Sequence, residues 1–250
     1  MKKDFHLHAD FSPDSSIKLA ELVPRAAELG YSELAITEHL DLMPQEIAVS
    51  GLPSLQKYQK MVAEIQALYP HLKLHCGIEV GDFTEVRSQA IPLLNEFHFR
   101  PVLGSIHIIL QNLNVAIPLK KKLRPTEIKA YYETNLRMVE TCPIDILAHL
   151  GVYKRYYSEK PVEMHCQSLI SRIFEVMIYR GIALEINYSG LRRPYKSLLP
   201  EPEYLALYKK LGGKLVTIGS DAHKLQFFDD FYHIAYQAVT EFGFEILSLN

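Results

Sequence analysis

Short apolar, β-branched runs alternate along the 250-residue chain with longer segments whose apolar residues recur at three- and four-residue spacing. That alternation is the pattern of repeated βα units. Strands are predicted at Asp4–His8, Glu33–Thr37, Lys73–Val80, Val102–Ile106, Ile144–Ala148, Ala183–Asn187 and Leu215–Ser220. Between them the spacing predicts helices over Lys18–Leu29, closed by Gly30 and carrying Pro24, and over Leu55–Tyr69 behind an N-cap at Ser54. Further helices are expected over Arg87–Phe97, from a cap at Thr126 to Thr141, over Pro161–Arg180 before Gly181, from Pro202, and over Phe231–Phe242. A long loop is expected from Ile108 to Pro125. Seven such units without a Gly-, Ser- or Pro-rich linker predict an α/β chain folded as one domain over residues 1–250, a closed or nearly closed barrel of parallel strands. An open doubly wound sheet is the alternative, but the first βα turn lacks the glycine fingerprint of a dinucleotide site.

Composition narrows the function. A hydrophobic share of 48% and a charged share of 22% describe an ordinary globular chain, and the net charge of -2 gives no global field to gather long nucleic acid or an anionic membrane surface. No window approaches a membrane span, and the opening Met1-Lys2-Lys3-Asp4-Phe5-His6 lacks the apolar stretch of a secretory signal, so a cytoplasmic location is expected. Three widely spaced cysteines, Cys76, Cys142 and Cys166, argue against a disulfide framework or a thiolate zinc site. The unusual feature is 11 histidines with no tryptophan.

Six of those histidines fall at the C-terminal ends of predicted strands, in His6-Leu7-His8, Thr37-Glu38-His39, Gly104-Ser105-Ile106-His107, Ala148-His149 and Ser220-Asp221-Ala222-His223. Glu79 ends another strand, in Gly77-Ile78-Glu79, and Asp14 follows the first. In a parallel barrel that rim is where catalytic groups converge. His6 and His8 are two apart and share a face, as do Asp221 and His223 if the strand continues through them. Imidazole nitrogens mixed with carboxylate oxygens suit zinc, iron or manganese. Nine candidate ligands, His6, His8, Asp14, His39, Glu79, His107, His149, Asp221 and His223, exceed the needs of one catalytic ion, so two or three divalent ions are expected. One histidine at a strand end is commonly a hydrogen-bonded structural residue; six at five strand ends with three acids exceed that explanation. His71, His75, His98, His165 and His233 lie elsewhere and are read as surface or packing residues.

These motifs, with Phe11-Ser12-Pro13-Asp14 after the first, resemble the polymerase and histidinol phosphatase (PHP) superfamily across almost the whole chain. The resemblance implies a distorted (β/α)7 TIM-like barrel with a trinuclear metal site. One metal would take His6, His8, Glu79 and Asp221; a second Glu79, His107 and His149; a third Asp14, His39 and His223. Asp14 stands where many members have histidine, which keeps a ligand and hardens the third site. Glu185-Ile186-Asn187-Tyr188-Ser189-Gly190-Leu191-Arg192 and Lys154-Arg155-Tyr156 resemble the histidinol-phosphatase branch. By that resemblance Arg155 and Arg192 hold the phosphate, Tyr156 lends a hydroxyl, and Asp221 and His223 join the two arginines in catalysis. An arginine fork matches phosphate oxygens, and a near-neutral chain must hold an anion with such local cations.

The expected activity is a metal-dependent phosphomonoesterase acting on a small phosphate ester, with histidinol phosphate of histidine biosynthesis favoured. A PHP-type nucleotide phosphatase or exonuclease is the second reading, weakened by the lack of a basic, aromatic-interleaved groove. A non-catalytic metal-binding regulatory module is the third, and it requires lost ligands where none is missing. The PHP tyrosine-phosphatase branch fits poorly at Phe11-Ser12-Pro13-Asp14. The loop Ile108-Ile109-Leu110-Gln111-Asn112-Leu113-Asn114, running on to Lys120-Lys121-Lys122, departs from the family's usual stretch after His107 and is a candidate lid over the site; its lysines read as a solvated turn.

Overall fold

The structure is a computed structural model and describes residues 1–50 and 54–249. Each of the seven predicted strands is present, as β1 (Lys2–Leu7), β2 (Tyr31–Asp41), β3 (Lys73–Gly81), β4 (Val102–Ser105), β7 (Ile146–Leu147), β8 (Ala183–Asn187) and β9 (Leu215–Gly219). Three short strands were not anticipated. Two of them, β5 (Ile108–Ile109) and β6 (Leu113–Asn114), pair as an antiparallel hairpin that opens the long loop after His107. The third, β10 (Glu245–Ile246), adds to β9 as an eighth parallel strand, giving the order β1-β2-β3-β4-β7-β8-β9-β10.

The sheet curls into a distorted α/β barrel that closes only at its C-terminal rim. There Leu7 bridges Ala222, Asp221 N–H donates to His6 O at 2.8 Å, and His8 N–H donates to Ala222 O at 3.2 Å. The parity of the strands stacks the interior in layers. Phe5, Ala35, Leu103, Ile146, Ala183 and Leu249 form an apolar floor. Above it, on the faces that carry Ala183 and Gly77, stand Glu185 and Glu79. A register shift between Asp4 and Leu7 inserts an extra residue into β1, so Phe5 joins the floor while His6 meets the acids above.

Eight helices among the described residues cover the sheet: α1 (Leu19–Glu28), α2 (Pro44–Ser50), α3 (Leu55–Leu68), α4 (Phe83–Phe97), α5 (Pro125–Thr141), α6 (Gln167–Arg180), α7 (Pro202–Lys210) and α8 (Tyr232–Phe242). In α1 the buried Leu19, Leu22, Val23 and Ala26 fall on one stripe, which is why this segment packs as a helix despite Pro24. No helix among the described residues is long and apolar enough to cross a membrane.

Several boundaries differ from expectation. The cap of α5 is Arg124, not Thr126: Pro125 takes the first helical position, and Glu127 reaches back to Arg124 N–H at 2.7 Å. The α6 helix begins at Gln167 rather than Pro161, behind a 3₁₀ turn at Met164–Cys166. The α4 helix starts four residues early, at Phe83. Ser54 does precede α3, but its side chain makes no capping bond. Strand geometry does not continue through Asp221, whose φ is 51° and whose strand ends at Gly219.

Candidate metal centre and phosphate pocket

All nine predicted ligands meet at the closed rim. His6 Nε2 and His8 Nε2 face each other at 3.0 Å, with Glu79 Oε2 at 3.4 and 3.5 Å and Asp221 Oδ1 at 3.9 and 3.7 Å respectively. The other Glu79 oxygen, Oε1, lies 2.9 Å from His149 Nε2 and 3.6 Å from His107 Nε2. One carboxylate therefore spans two clusters of nitrogens. On the far side of His8, His39 Nε2 and His223 Nε2 stand 3.3 Å apart, with Asp14 oxygens at 3.7 and 3.2 Å. The His8 ring packs against both, with centroids 4.1 Å from His39 and 4.2 Å from His223.

The placement of protons on these rings tests whether metal ions fit. His6 Nδ1 contacts Glu185 Oε1 at 2.7 Å, an acceptor, so that nitrogen carries hydrogen. His223 Nδ1 lies 3.1 Å from the Asp221 carbonyl and must also donate. His39 Nδ1 is 3.0 Å from Glu79 Oε2. Ser12 donates to Glu38, so His8 Nδ1, 3.3 Å from the same hydroxyl, gives its hydrogen to Ser12. In the neutral tautomers this leaves two pairs of bare nitrogens pointing at one another, a repulsive arrangement that a cation relieves. The acids make the same demand. Burial pushes the His6 pKa down, but Glu185 and Glu79 outweigh it and hold the ring well above its usual value. Burial would raise Glu79, yet His6 and hydrogen bonds from His107, His149 and His39 keep it well below the carboxylate range. Burial would likewise raise Asp14, but the His223 and His39 imidazoles beside it hold it low. Burial, reinforced by His39, His223 and His6, keeps His8 neutral, as a ligand must be. The donor set fits divalent metal ions, which would replace the protons these carboxylates attract.

Supporting residues went unassigned in the sequence. Glu185 is fully buried, orients His6, and accepts from His149 N–H and from Asn187 Nδ2 at 3.0 Å. Its side chain crosses β9 where only glycine fits: a Cβ on Gly219 would lie 1.8 Å from Glu185 Oε1. Glu38 fixes Ser12, and Ser12 also accepts His39 N–H at 3.0 Å. Asp82, at φ 51°, accepts His107 N–H at 3.1 Å and Ile108 N–H at 2.9 Å, which places His107. Asp41 and Glu46 form a further acidic group with His107. Glu38 and Glu185 lie in motifs visible in the sequence, but their contacts cross the barrel and have no local signature.

Above the cluster opens a cavity of about 480 Å³. From the β7, β8 and β9 side it is lined by Arg155, Tyr156, Arg192, Arg193 and Lys224; from β2 and the helix after it, by Asp41 and Glu46; and from the long loop, by Asn114, Ala116 and Ile117. Arg155 Nη2 pairs with Asp221 Oδ2, and its buried Nε has no partner. Arg192 is braced: Asp230 takes two of its N–H groups at 2.8 and 3.0 Å, Ser220 O one at 2.8 Å and Phe227 O one at 2.6 Å, which leaves one donor. Tyr156 lines the cavity, and its hydroxyl donates to Ala116 O at 3.1 Å. Lys154 points away from the cavity and is wholly buried. Lys120, Lys121 and Lys122 are exposed, outside the cavity lining, and Lys122 pairs with Glu159 at 2.8 Å.

Comparison with known proteins agrees with this geometry. Residues 4–189 match the PHP domain model. A probable histidinol-phosphatase of Clostridium acetobutylicum is 32% identical over 230 residues, spanning 88% of this chain and 86% of that protein. A histidinol-phosphatase of Lactococcus lactis is 27% identical over 231 residues, 89% of this chain and 85% of that one. Among solved structures, histidinol phosphate phosphatase from Lactococcus lactis, in complex with zinc, L-histidinol and phosphate, aligns with a TM-score of 0.86 at 25% identity, covering 98% of this chain and 95% of that one. A putative histidinol phosphatase from Listeria monocytogenes shares the fold, with a TM-score of 0.83 at 20% identity over 93% of this chain and 99% of that one. The ligand-bearing strand ends and the extent of these matches place the chain in the PHP domain family.

Proposed function

We propose that this chain is a metal-dependent phosphomonoesterase that hydrolyses L-histidinol phosphate to L-histidinol and phosphate, with histidine biosynthesis in the cytoplasm as its setting. The observation that carries the reading is the pair of facing imidazole couples, His6 with His8 and His39 with His223, beneath a cavity whose wall holds the unpartnered Arg155 Nε. His6, His8, Glu79 and Asp221 would hold one ion, Glu79, His107 and His149 a second, and Asp14, His39 and His223 a third, each zinc, iron or manganese. When bound, such ions supply Lewis acidity and a water acidified toward neutral pH.

The chain's own groups do the remainder. Arg155 and the last free donor of Arg192 bind the equatorial phosphoryl oxygens and offset the charge that develops there. Asp221 turns Oδ1 toward His6 and His8 and Oδ2 toward Arg155. Burial would raise its pKa, but Arg155, His6 and His223 hold it well below the carboxylate range, so Asp221 stays ionised between those partners and is not the acid, and the attacking water gives its proton to solvent. Water adds to phosphorus, the P–O ester bond breaks, and the alkoxide leaves. His223 keeps its Nδ1 hydrogen on a backbone carbonyl, so the alkoxide takes its proton from solvent at the cavity mouth. Opposite the arginines, Asp41 and Glu46 present carboxylates and Ile117 an apolar surface. A phosphate ester with a cationic, partly apolar leaving group suits that polarity, and histidinol phosphate is one. The related Lactococcus protein has been seen with zinc, L-histidinol and phosphate together.

A phosphate-release screen of the metal-loaded protein against histidinol phosphate, mononucleotides and sugar phosphates tests this. The highest kcat/KM is expected for histidinol phosphate. Preference for a mononucleotide moves the chain to the nucleotide-phosphatase reading, and no turnover of any ester overturns the assignment.

A further inference from the structure

Lys154 immediately precedes two residues of the cavity wall, Arg155 and Tyr156, in the 3₁₀ turn Val152–Tyr156, yet faces the opposite way. Its side chain is fully buried. The ammonium donates to Glu201 Oε1 and Oε2 at 2.7 and 2.8 Å and lies 2.7 Å from Glu163 Oε2, so it is held between two carboxyl groups. Those carboxylates are themselves held. Tyr132 and Tyr204 donate to Glu163 at 2.7 and 2.8 Å, Tyr153 joins them, and Tyr195 donates to Glu201 at 2.6 Å. The lysine stem folds back on the start of its own turn. Gly151 has φ 92°, and a Cβ there would come within 3.1 Å of Lys154 Cε. Glu201 caps α7 and Glu163 precedes the 3₁₀ turn Met164–Cys166, so two distant segments are tied beneath this one.

Taking an ammonium and its carboxyl partners out of water is costly, and apolar packing would fill the same space more cheaply. What the cluster provides is geometry: the lysine has one position in which it reaches both Glu201 oxygens and Glu163 at once. We propose that Lys154 is a positioning residue, which through Glu201 and Glu163 sets the turn so that Arg155 stands over Asp221 with Nε free for phosphate. This role rests on the assignment of Arg155 to the phosphate under the proposed function.

The test is a double-mutant cycle on the metal-loaded enzyme, comparing Lys154→Met, Arg155→Ala and the double variant for kcat, KM and melting temperature. Lys154→Met is expected to lower kcat/KM on the order of 10²-fold, the effect of about 1 Å of misplacement. The double variant should then be no worse than Arg155→Ala, while Lys154→Met lowers the melting temperature equally in both backgrounds. Losses that multiply in the double variant, or full activity in Lys154→Met, overturn the positioning role. If Lys154→Met does not fold, Glu201→Gln, which keeps an oxygen in place, goes through the same cycle: a loss that disappears in the Arg155→Ala background supports the role, and one that multiplies there overturns it. Full activity in Arg155→Ala is a separate failure, that of the phosphate assignment itself.

Discussion

Two buried clusters of charge lie on opposite sides of the turn Val152–Tyr156, and they are built to opposite ends. The cluster behind the turn is closed. Burial pushes Lys154 down to about 8 and, helped by the nearby Glu201 carboxylate, pushes Glu163 up to about 8. Four tyrosine hydroxyls close the remaining valences. The cluster in front is open. His149 Nδ1 and Arg155 Nε are both buried without a hydrogen-bond partner. A saturated cluster holds a shape, whereas one left short of cations and acceptors is waiting for ligands.

Removing a central donor of the open cluster should have the largest effect. His8→Ala is expected to bring turnover down by about 10³-fold or more and to reduce bound metal, measured by phosphate release and elemental analysis of the same sample. Retention of both would mean that the facing imidazoles are a structural pair. Glu185→Gln acts one contact further out. It keeps the size of the side chain but weakens its hold on His6, and a loss of about 10- to 100-fold in activity or metal affinity is expected, readable by competition with a chelator. The closed cluster should respond in stability alone and most mildly. Glu163 takes up a proton on folding wherever the pH lies between its ordinary value of 4.5 and about 8, so its contribution is lost as pH rises through that window. Glu163→Gln should flatten the fall in unfolding free energy across that same window, followed by denaturant melts; an unchanged slope would show that Glu163 is already ionised.

The long strands and the periodic helices were legible because β2, β3, β8 and β9 bury regular patterns of side chains. What escaped was short or non-local. The two-residue β10 has no period to detect, and Glu245 is exposed while Ile246 is half-buried. The cap at Arg124 was missed because a threonine and a proline stood nearby and the deciding bond comes from Glu127. In the site, residue type and strand-end position singled out the nine donors now found together. They could not tell which of Lys154, Arg155 and Tyr156 would turn inward, because a single 3₁₀ turn sends neighbours to opposite sides. Nor could they assign Glu185, whose partners His6 and His149 lie on β1 and just beyond β7.

The apolar floor of Phe5, Ala35, Leu103, Ile146, Ala183 and Leu249 makes the barrel a blind well. Traffic through it is one-way in and the same way out. A substrate whose phosphoryl end seats deepest leaves behind an inorganic ion beneath an organic alcohol, and the alcohol must clear the mouth before the ion can follow. The last departure then belongs to phosphate, which makes it the product best placed to compete with the next substrate.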